Sequence, residues 1–190
     1  MTIATTAPAK DPQRRAAWAE LATDYVHANG LIGLSLRPLA AELGTSNRVL
    51  LYHFGTKDQL VADVLRTSNE RSVAAVAALE PSKDLRLAVH DLWSVMEGDR
   101  CSWIYVEAAA LGLFGKEPYA SAVREANALW IAGLIAHLEK SGVGPAVAER
   151  AAHVIDAAFQ GLQLSLGLDG SLPERARSVD DLAAAVAALA

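Results

Sequence analysis

No stretch of this chain alternates apolar and polar residues with a period of two. Where apolar residues are dense they recur at spacings of three and four, the mark of helices with one inward stripe. That pattern argues against sheet architectures and leaves an all-α fold of about nine helices. Glycine and proline set the boundaries. A first helix is expected from the N-cap Asp11 and Pro12 to Gly30, with Trp18, Leu21, Ala22, Tyr25 and Val26 inward. Ser35 opens a short second helix that ends at Gly44, with Leu36, Leu39, Ala40 and Leu43 inward and Pro38 in its first turn. A third runs from Thr45 or Ser46 to Phe54. A fourth starts at Thr56, whose partner Gln59 completes a capping box, and reaches about Leu79 before Pro81. Five further segments follow, roughly Ser82–Glu97, Arg100–Phe114, Pro118–Lys140, Pro145–Leu168 and Ser178–Leu189. Gly98, Gly115, Gly142, Gly144 and an "LDGSLP" turn separate them.

Composition narrows the class. With 52% hydrophobic residues in 190, the chain can bury a sizeable core, and its many alanines favour helix. Cys101 is the single cysteine, so no internal disulfide forms and a reducing cytoplasm is expected. The opening "MTIATTAPA" lacks the basic and apolar regions of a secretory signal and reads as a loose tail. The longest uncharged apolar run, Ala126 to Leu138, falls short of the ~18 residues of a membrane span, so no membrane partner is expected. Net charge is −5, but through residue 66 seven Lys and Arg face six Asp and Glu. The acidic excess lies behind that point, so any contact with DNA belongs to the front.

The stretch "TSNRVLLYHFGTKDQL" (Thr45 to Leu60) sharpens this. Two short helices joined through Gly44-Thr45 make a helix-turn-helix. On the second helix Leu50 and Phe54 share one face and would dock on the first helix, while Arg48 and Tyr52 lie opposite. Ser46 and Asn47 sit at the end that would enter a major groove. Asn pairs with adenine, Arg forks onto guanine, and Val49 can touch a thymine methyl. Lys57, at the start of the next helix, suits a phosphate. The DNA-contacting candidates are therefore Arg37, Thr45, Ser46, Asn47, Arg48, Val49, Tyr52, His53 and Lys57. His53 also fits a partly buried helix-end residue bonding a carbonyl or phosphate.

The string "LRPLAAELGTSNRVLLYHFGTKDQLVADVL" resembles the DNA-binding region of the tetracycline-repressor (TetR/AcrR) family. The match lies in the Leu39-Ala40-Ala41-Glu42-Leu43-Gly44 run, the "LYHF" ending and Lys57, and covers about residues 14–65. Beyond it only the layout is similar. The resemblance implies a DNA-binding domain over residues 1–60 and a ligand-binding and dimerisation domain over 61–190. It further implies a homodimeric repressor on palindromic double-stranded operator DNA, released by a small effector. One departure stands out. Leu51 occupies the place of the family's usual phosphate-binding tyrosine, so that role does not carry over to position 51; Tyr52 is the substitute, or Leu51 packs on sugar or a thymine methyl.

For the effector, a largely apolar molecule is expected, with Trp93, Met96, Trp103, Tyr105, Phe114, Trp130 and His137 as candidate contacts. For the dimer, Ala157, Gly161 and Ser165 recur every four residues as a small-residue ridge. Val179, Leu182, Val186 and Leu189 form a second stripe, so two helices from each chain would build a four-helix interface. No cofactor, metal or catalytic residue is expected. Glu149 and His153 are four apart, not the three of a di-iron Glu-x-x-His pair, and no nucleophile elbow or phosphate loop occurs. The residues leave open a helical protein-interaction adaptor, and a regulator that activates rather than represses.

Overall fold

A computed structural model of the chain describes residues 11–98, 101–169 and 172–190. The N-terminal tail and Gly170-Ser171 of the "LDGSLP" turn lie outside the described residues, as does the side chain of Cys101. Among the described residues all regular structure is helical, in nine segments. They are α1 (Pro12–Asn29), α2 (Leu36–Glu42), α3 (Asn47–Phe54), α4 (Lys57–Ala77), α5 (Leu85–Gly98), α6 (Cys101–Gly112), α7 (Tyr119–Lys140), α8 (Pro145–Asp169) and α9 (Leu172–Ala187).

The front of the chain obeys its local signals. The Asp11 carboxylate accepts the N–H groups of Gln13 (3.0 Å) and Arg14 (3.4 Å), and Gly30 closes α1 at φ 84°. Ser46 caps α3 and Thr56 caps α4, each through its hydroxyl oxygen. Ser35 holds the N-cap position of α2 without a side-chain bond. The inward stripe of α1 is narrower than expected. Ala19, Ala22, Thr23 and Val26 are buried, Trp18 and Tyr25 flank them, and Leu21 faces outward. Small residues at the contact let α1 lie close to α4, and Thr23 turns its hydroxyl back onto the Ala19 carbonyl at 2.8 Å.

Further along, three boundaries shift for physical reasons. α5 starts at Leu85 because Ser82 is tied elsewhere and the Asp84 carboxylate accepts the N–H of Leu87 at 2.9 Å. α6 ends at Gly112, leaving Phe114 in the following loop. α9 starts six residues before Ser178, because Pro173 falls in its first turn, where a missing N–H costs nothing.

Two hydrophobic cores result. The first gathers Ala22, Val26, Leu39, Leu50, Phe54 and Leu60 from the front with Ile104, Ala108 and Tyr119 from α6 and α7. The second gathers Leu92, Trp93, Leu134, Ile155, Phe159 and Val186 from α5, α7, α8 and α9. α4 belongs to both: Leu60, Val61, Val64 and Leu65 lie in the first and Val76 in the second. The expected boundary at residue 60 falls in the first turn of this shared helix.

A buried polar knot fastens the α4–α5 link to the end of α7. Ser82 donates its hydroxyl proton to Asp91 at 2.7 Å, and its oxygen lies 3.2 Å from His137 Nε2. Since that hydroxyl has one proton to give, His137 must donate to it from Nε2. Nδ1 is left without a partner. Ser141 accepts the N–H of Ser82 at 2.9 Å and donates to the His137 carbonyl at 2.8 Å. His137, expected at the ligand, is thus a fastening of the body. Burial pushes its ring below the usual value; Asp91 opposes and Lys140 adds to that shift. A histidine held neutral by the fold contributes stability that is present above the ordinary histidine value of about 6.5 and lost as pH falls toward its own lower value. Unfolding free energy should therefore decline as pH drops below neutral, and His137→Gln should flatten that decline in denaturant titrations at stepped pH. An unchanged slope would assign the loss to other groups.

Candidate nucleic-acid interface and the cleft behind it

The turn between α2 and α3 is closed by local bonds. Gly44 adopts φ 62°, a conformation that side chains disfavour, and the Thr45 N–H reaches the Ala40 carbonyl at 2.8 Å. The N–H of Val49 donates to Ser46 Oγ at 3.3 Å, so Ser46 is occupied as a cap but keeps its own proton to donate outward. Leu50 and Phe54 are fully buried, and burying each contributes about 1.5–3 kcal/mol to holding α3 against its neighbours. The Arg15 guanidinium lies 5.8 Å above the Phe54 ring.

That docking leaves Asn47, Arg48, Leu51 and Tyr52 exposed along the outer face of α3, with Thr45 and Val49 half-buried beside them. Arg37 and Lys57 are exposed on the neighbouring helices. Eight of the nine candidates therefore keep some exposed surface. His53 does not join them. It is 5% exposed, wedged between Trp18 (6.3 Å) and Tyr52 (5.2 Å), with Nδ1 unpartnered. The sequence placed it at a helix end, but the last turn of α3 points it inward.

Several charges at the front are paired. Arg15 pairs with Asp63 at 2.6 Å, Arg71 bridges Glu20 and Asp24, and Arg66 pairs with Glu70 at 2.9 Å. These pairs run along α4 or between α1 and α4, and Arg15 also meets the buried face of α3 at Phe54. Among the described residues no ion pair engages Arg37, Arg48 or Lys57. Three of the six acidic residues of the front, Glu20, Asp24 and Asp63, are thus engaged by arginines, while Arg37, Arg48 and Lys57 stay outside these pairs.

A helix-turn-helix with this packing is matched over residues 20–64 by the family described as bacterial regulatory proteins, tetR family. Residues 20–64 thus form a tetR-family DNA-binding region. Its helix-turn-helix is that of a DNA-binding transcriptional regulator. Solved structures share the whole architecture. A transcriptional regulator from Rhodococcus sp. Rha1 is 24% identical, with TM-score 0.73 over 93% of this chain and 96% of that one. The multidrug binding protein EbrR, complexed with imidazole, is 28% identical, with TM-score 0.64 over 93% and 96%. A TetR transcription regulator from Haloarcula marismortui is 22% identical, with TM-score 0.70 over 93% and 97%. No curated protein matches the sequence significantly.

Behind the tetR-family front, a cleft of about 640 Å³, its open mouth included, lies where the two cores meet. Leu65, Ile104 and Ala108 reach it from the first core, Met96 and Trp130 from the second. α4 adds Ser68, Asn69 and Ser72, and α8 adds Asp156, Gln160 and Gln163. Of the seven candidates for a ligand, Met96, Tyr105 and Trp130 line this cleft. The other four are elsewhere. Trp93 packs edge-on against Phe159 at 5.1 Å, His137 is in the knot, Trp103 faces solvent, and Phe114 is 90% exposed in the loop after α6. The dimer candidates divide as well. Ala157, Gly161 and Ser165 are exposed on α8, and a Cβ on Gly161 would meet nothing within 4 Å. On α9, Val186 is fully buried and Leu182 packs on the same core, so that stripe faces the chain's own interior.

Two residues that sequence reading passed over matter here. Glu107 on α6 accepts the N–H groups of Leu31 (2.8 Å) and Ile32 (2.6 Å) in the loop after α1. The helix that lines the cleft with Ile104 and Tyr105 thereby grips the front directly. Asp156 is the other. Gln160 donates to it at 2.8 Å and the Trp130 indole also bonds it. Burial raises its carboxyl above the usual value, against the opposing pull of Gln160, Trp130 and His153. Burial and the Asp156 charge likewise raise the Tyr105 phenol. Each acid is a lone charge in an apolar run ("SWIYVEAAALG", "AAHVIDAAF"), which was the available signal. A carboxyl with a raised value weighs against folding at neutral pH, and weighs less as pH falls and the proton returns. Asp156→Asn, which keeps an acceptor for Trp130, should melt above the parent at neutral pH, and the gap should close in acid. A lower melting temperature at neutral pH would refute that account.

Proposed function

We propose that the protein is a one-component repressor acting in the cytoplasm, which binds a palindromic operator as a homodimer and leaves it when a small molecule enters the cleft between the two cores. The observation that carries this reading is the exposed reading face of α3 beside three uncommitted cations, backed by a helix, α6, that touches both the front and the cleft. The likeness to a multidrug binding protein supports a small-molecule effector. Binding in the cleft would favour one relative placement of the cores over another, which shifts the population away from the DNA-competent state. α4, shared by the cores, and the Glu107 grip on Leu31 and Ile32 are the mechanical links.

In this reading Arg48, with Asn47 and Val49, reads bases, while Lys57, Arg37 and Tyr52 hold backbone. His53 supports them from beneath. The two substitutions should differ in kind. Arg48→Ala should cost about 1–3 kcal/mol on the operator and relax preference at one symmetric pair of positions. Lys57→Ala should weaken specific and random DNA alike and lower the salt slope by about one unit. Competition against every single-base operator variant, with the operator first selected from random sequences, checks both. Uniform loss for Arg48→Ala with preferences intact would move it to the backbone.

For the dimer, the α8 ridge of Ala157, Gly161 and Ser165, bordered by exposed Val154 and Leu164, offers a close-approach surface. Pairing there would set two reading helices in adjacent major grooves, roughly 34–36 Å apart. Gly161→Trp fills open space in the single chain, so it should leave the fold intact and convert dimer to monomer in sedimentation velocity. An unchanged sedimentation coefficient would rule this ridge out.

A further inference from the structure

The cleft holds one carboxylate, and the fold does not require it to be charged. Asp156 is 8% exposed. Its partners, Gln160 at 2.8 Å and the Trp130 indole, are neutral donors. No Lys, Arg or His among the described residues forms an ion pair with it. Two neutral hydrogen bonds offset only part of the loss of water around a carboxylate. A neutral acceptor at the same place would also hold Gln160 and Trp130, and within the chain only His153 attracts the charge, through space and without an ion pair among the described residues. Around it the surfaces suit an apolar body. Tyr105 and Trp130 are aromatic, Met96 adapts its shape, and Leu65 and Ile104 close the floor.

We propose that the cleft takes a small organic monocation with an apolar or aromatic body, its positive centre set against Asp156. This rests on reading the cleft as the effector site. One carboxylate matches one positive charge. An anion would be repelled there, and a second positive charge would lack a partner of opposite sign in the lining. The aromatic faces of Tyr105 and Trp130 add attraction for a cation that a neutral ligand would not gain. Tyr105, Val123 and Gln160 also border an open groove between α6, α7 and α8. They therefore form the wall between cleft and surface, and Gln160, which holds Asp156, stands in that wall.

The test uses the full chain. Benzyltrimethylammonium and benzyltriethylammonium are titrated calorimetrically against the neutral N,N-dimethylbenzamide and N,N-diethylbenzamide, which have similar bulk. The parent should bind the cations in preference to the amides. Asp156→Asn should weaken the cations about tenfold or more and leave the amides unmoved, and Asp156→Glu should restore the preference for charge. Thermal melts of both variants establish that they are folded. Equal affinity for cation and amide, no cation binding by the parent, or undiminished cation binding by Asp156→Asn would each overturn the proposal. Salt-dependent retention of DNA by the same parent preparation separates the two levels of inference. Retention without cation preference removes the monocation and leaves the regulator; no retention removes the regulator reading beneath it.

Discussion

One helix has to serve two interiors. The N-terminal half of α4 completes the core beneath the reading helix, and its C-terminal half completes the core of the body. A helix transmits displacement along its axis because its backbone bonds are internal and stiff. Neither core can therefore rearrange without the other receiving the movement, and the space between them becomes the place where a small perturbation has most leverage. Packing density makes such a junction respond by switching arrangements rather than by gradual deformation. That the cleft opens at this junction, and not within either core, is the arrangement's main functional content.

The same logic governs charge. A front with nearly balanced formal charge makes a poor ligand for DNA if the charges are mixed. Here Glu20, Asp24 and Asp63 are tied to Arg71 and Arg15 across the α1–α4 contact. Such exposed pairs contribute little to stability. Their larger effect is on the local field, since each arginine offsets a carboxylate near the helix that meets the polyanion. Asp156 is the opposite case, a carboxyl whose burial works against its charge.

What was legible in the sequence was whatever is decided locally. Asp11, Ser46 and Thr56 start helices by bonds to residues two or three along, and Gly30, Gly44 and Gly55 end them through backbone conformations that need no tertiary partner. Leu50 and Phe54 were readable as inward because they share one face of α3 opposite Arg48 and Tyr52. The body was not readable in this way. α6 is apolar on nearly every face, so periodicity could not separate buried Ile104 from its exposed neighbour Trp103. An apolar stripe on α9 announced burial but not its partner; Val186 is fully buried in the chain's own core, and Leu182 packs against that core while keeping some surface. His137 and His53 were drawn inward by contacts to distant residues, which no local rule reports.

Glu107 carries a further consequence. Leu31 and Ile32 lie in a short loop, where amide protons ordinarily exchange with solvent quickly. Both are held by a single carboxylate from a helix 75 and 76 residues away in the chain. Their exchange is then governed by the withdrawal of α6 and not by the breathing of their own loop. Two adjacent amides thus act as an internal gauge of how firmly the body holds the reading head. Their protection would rise and fall with that grip even where the average positions of the helices barely change.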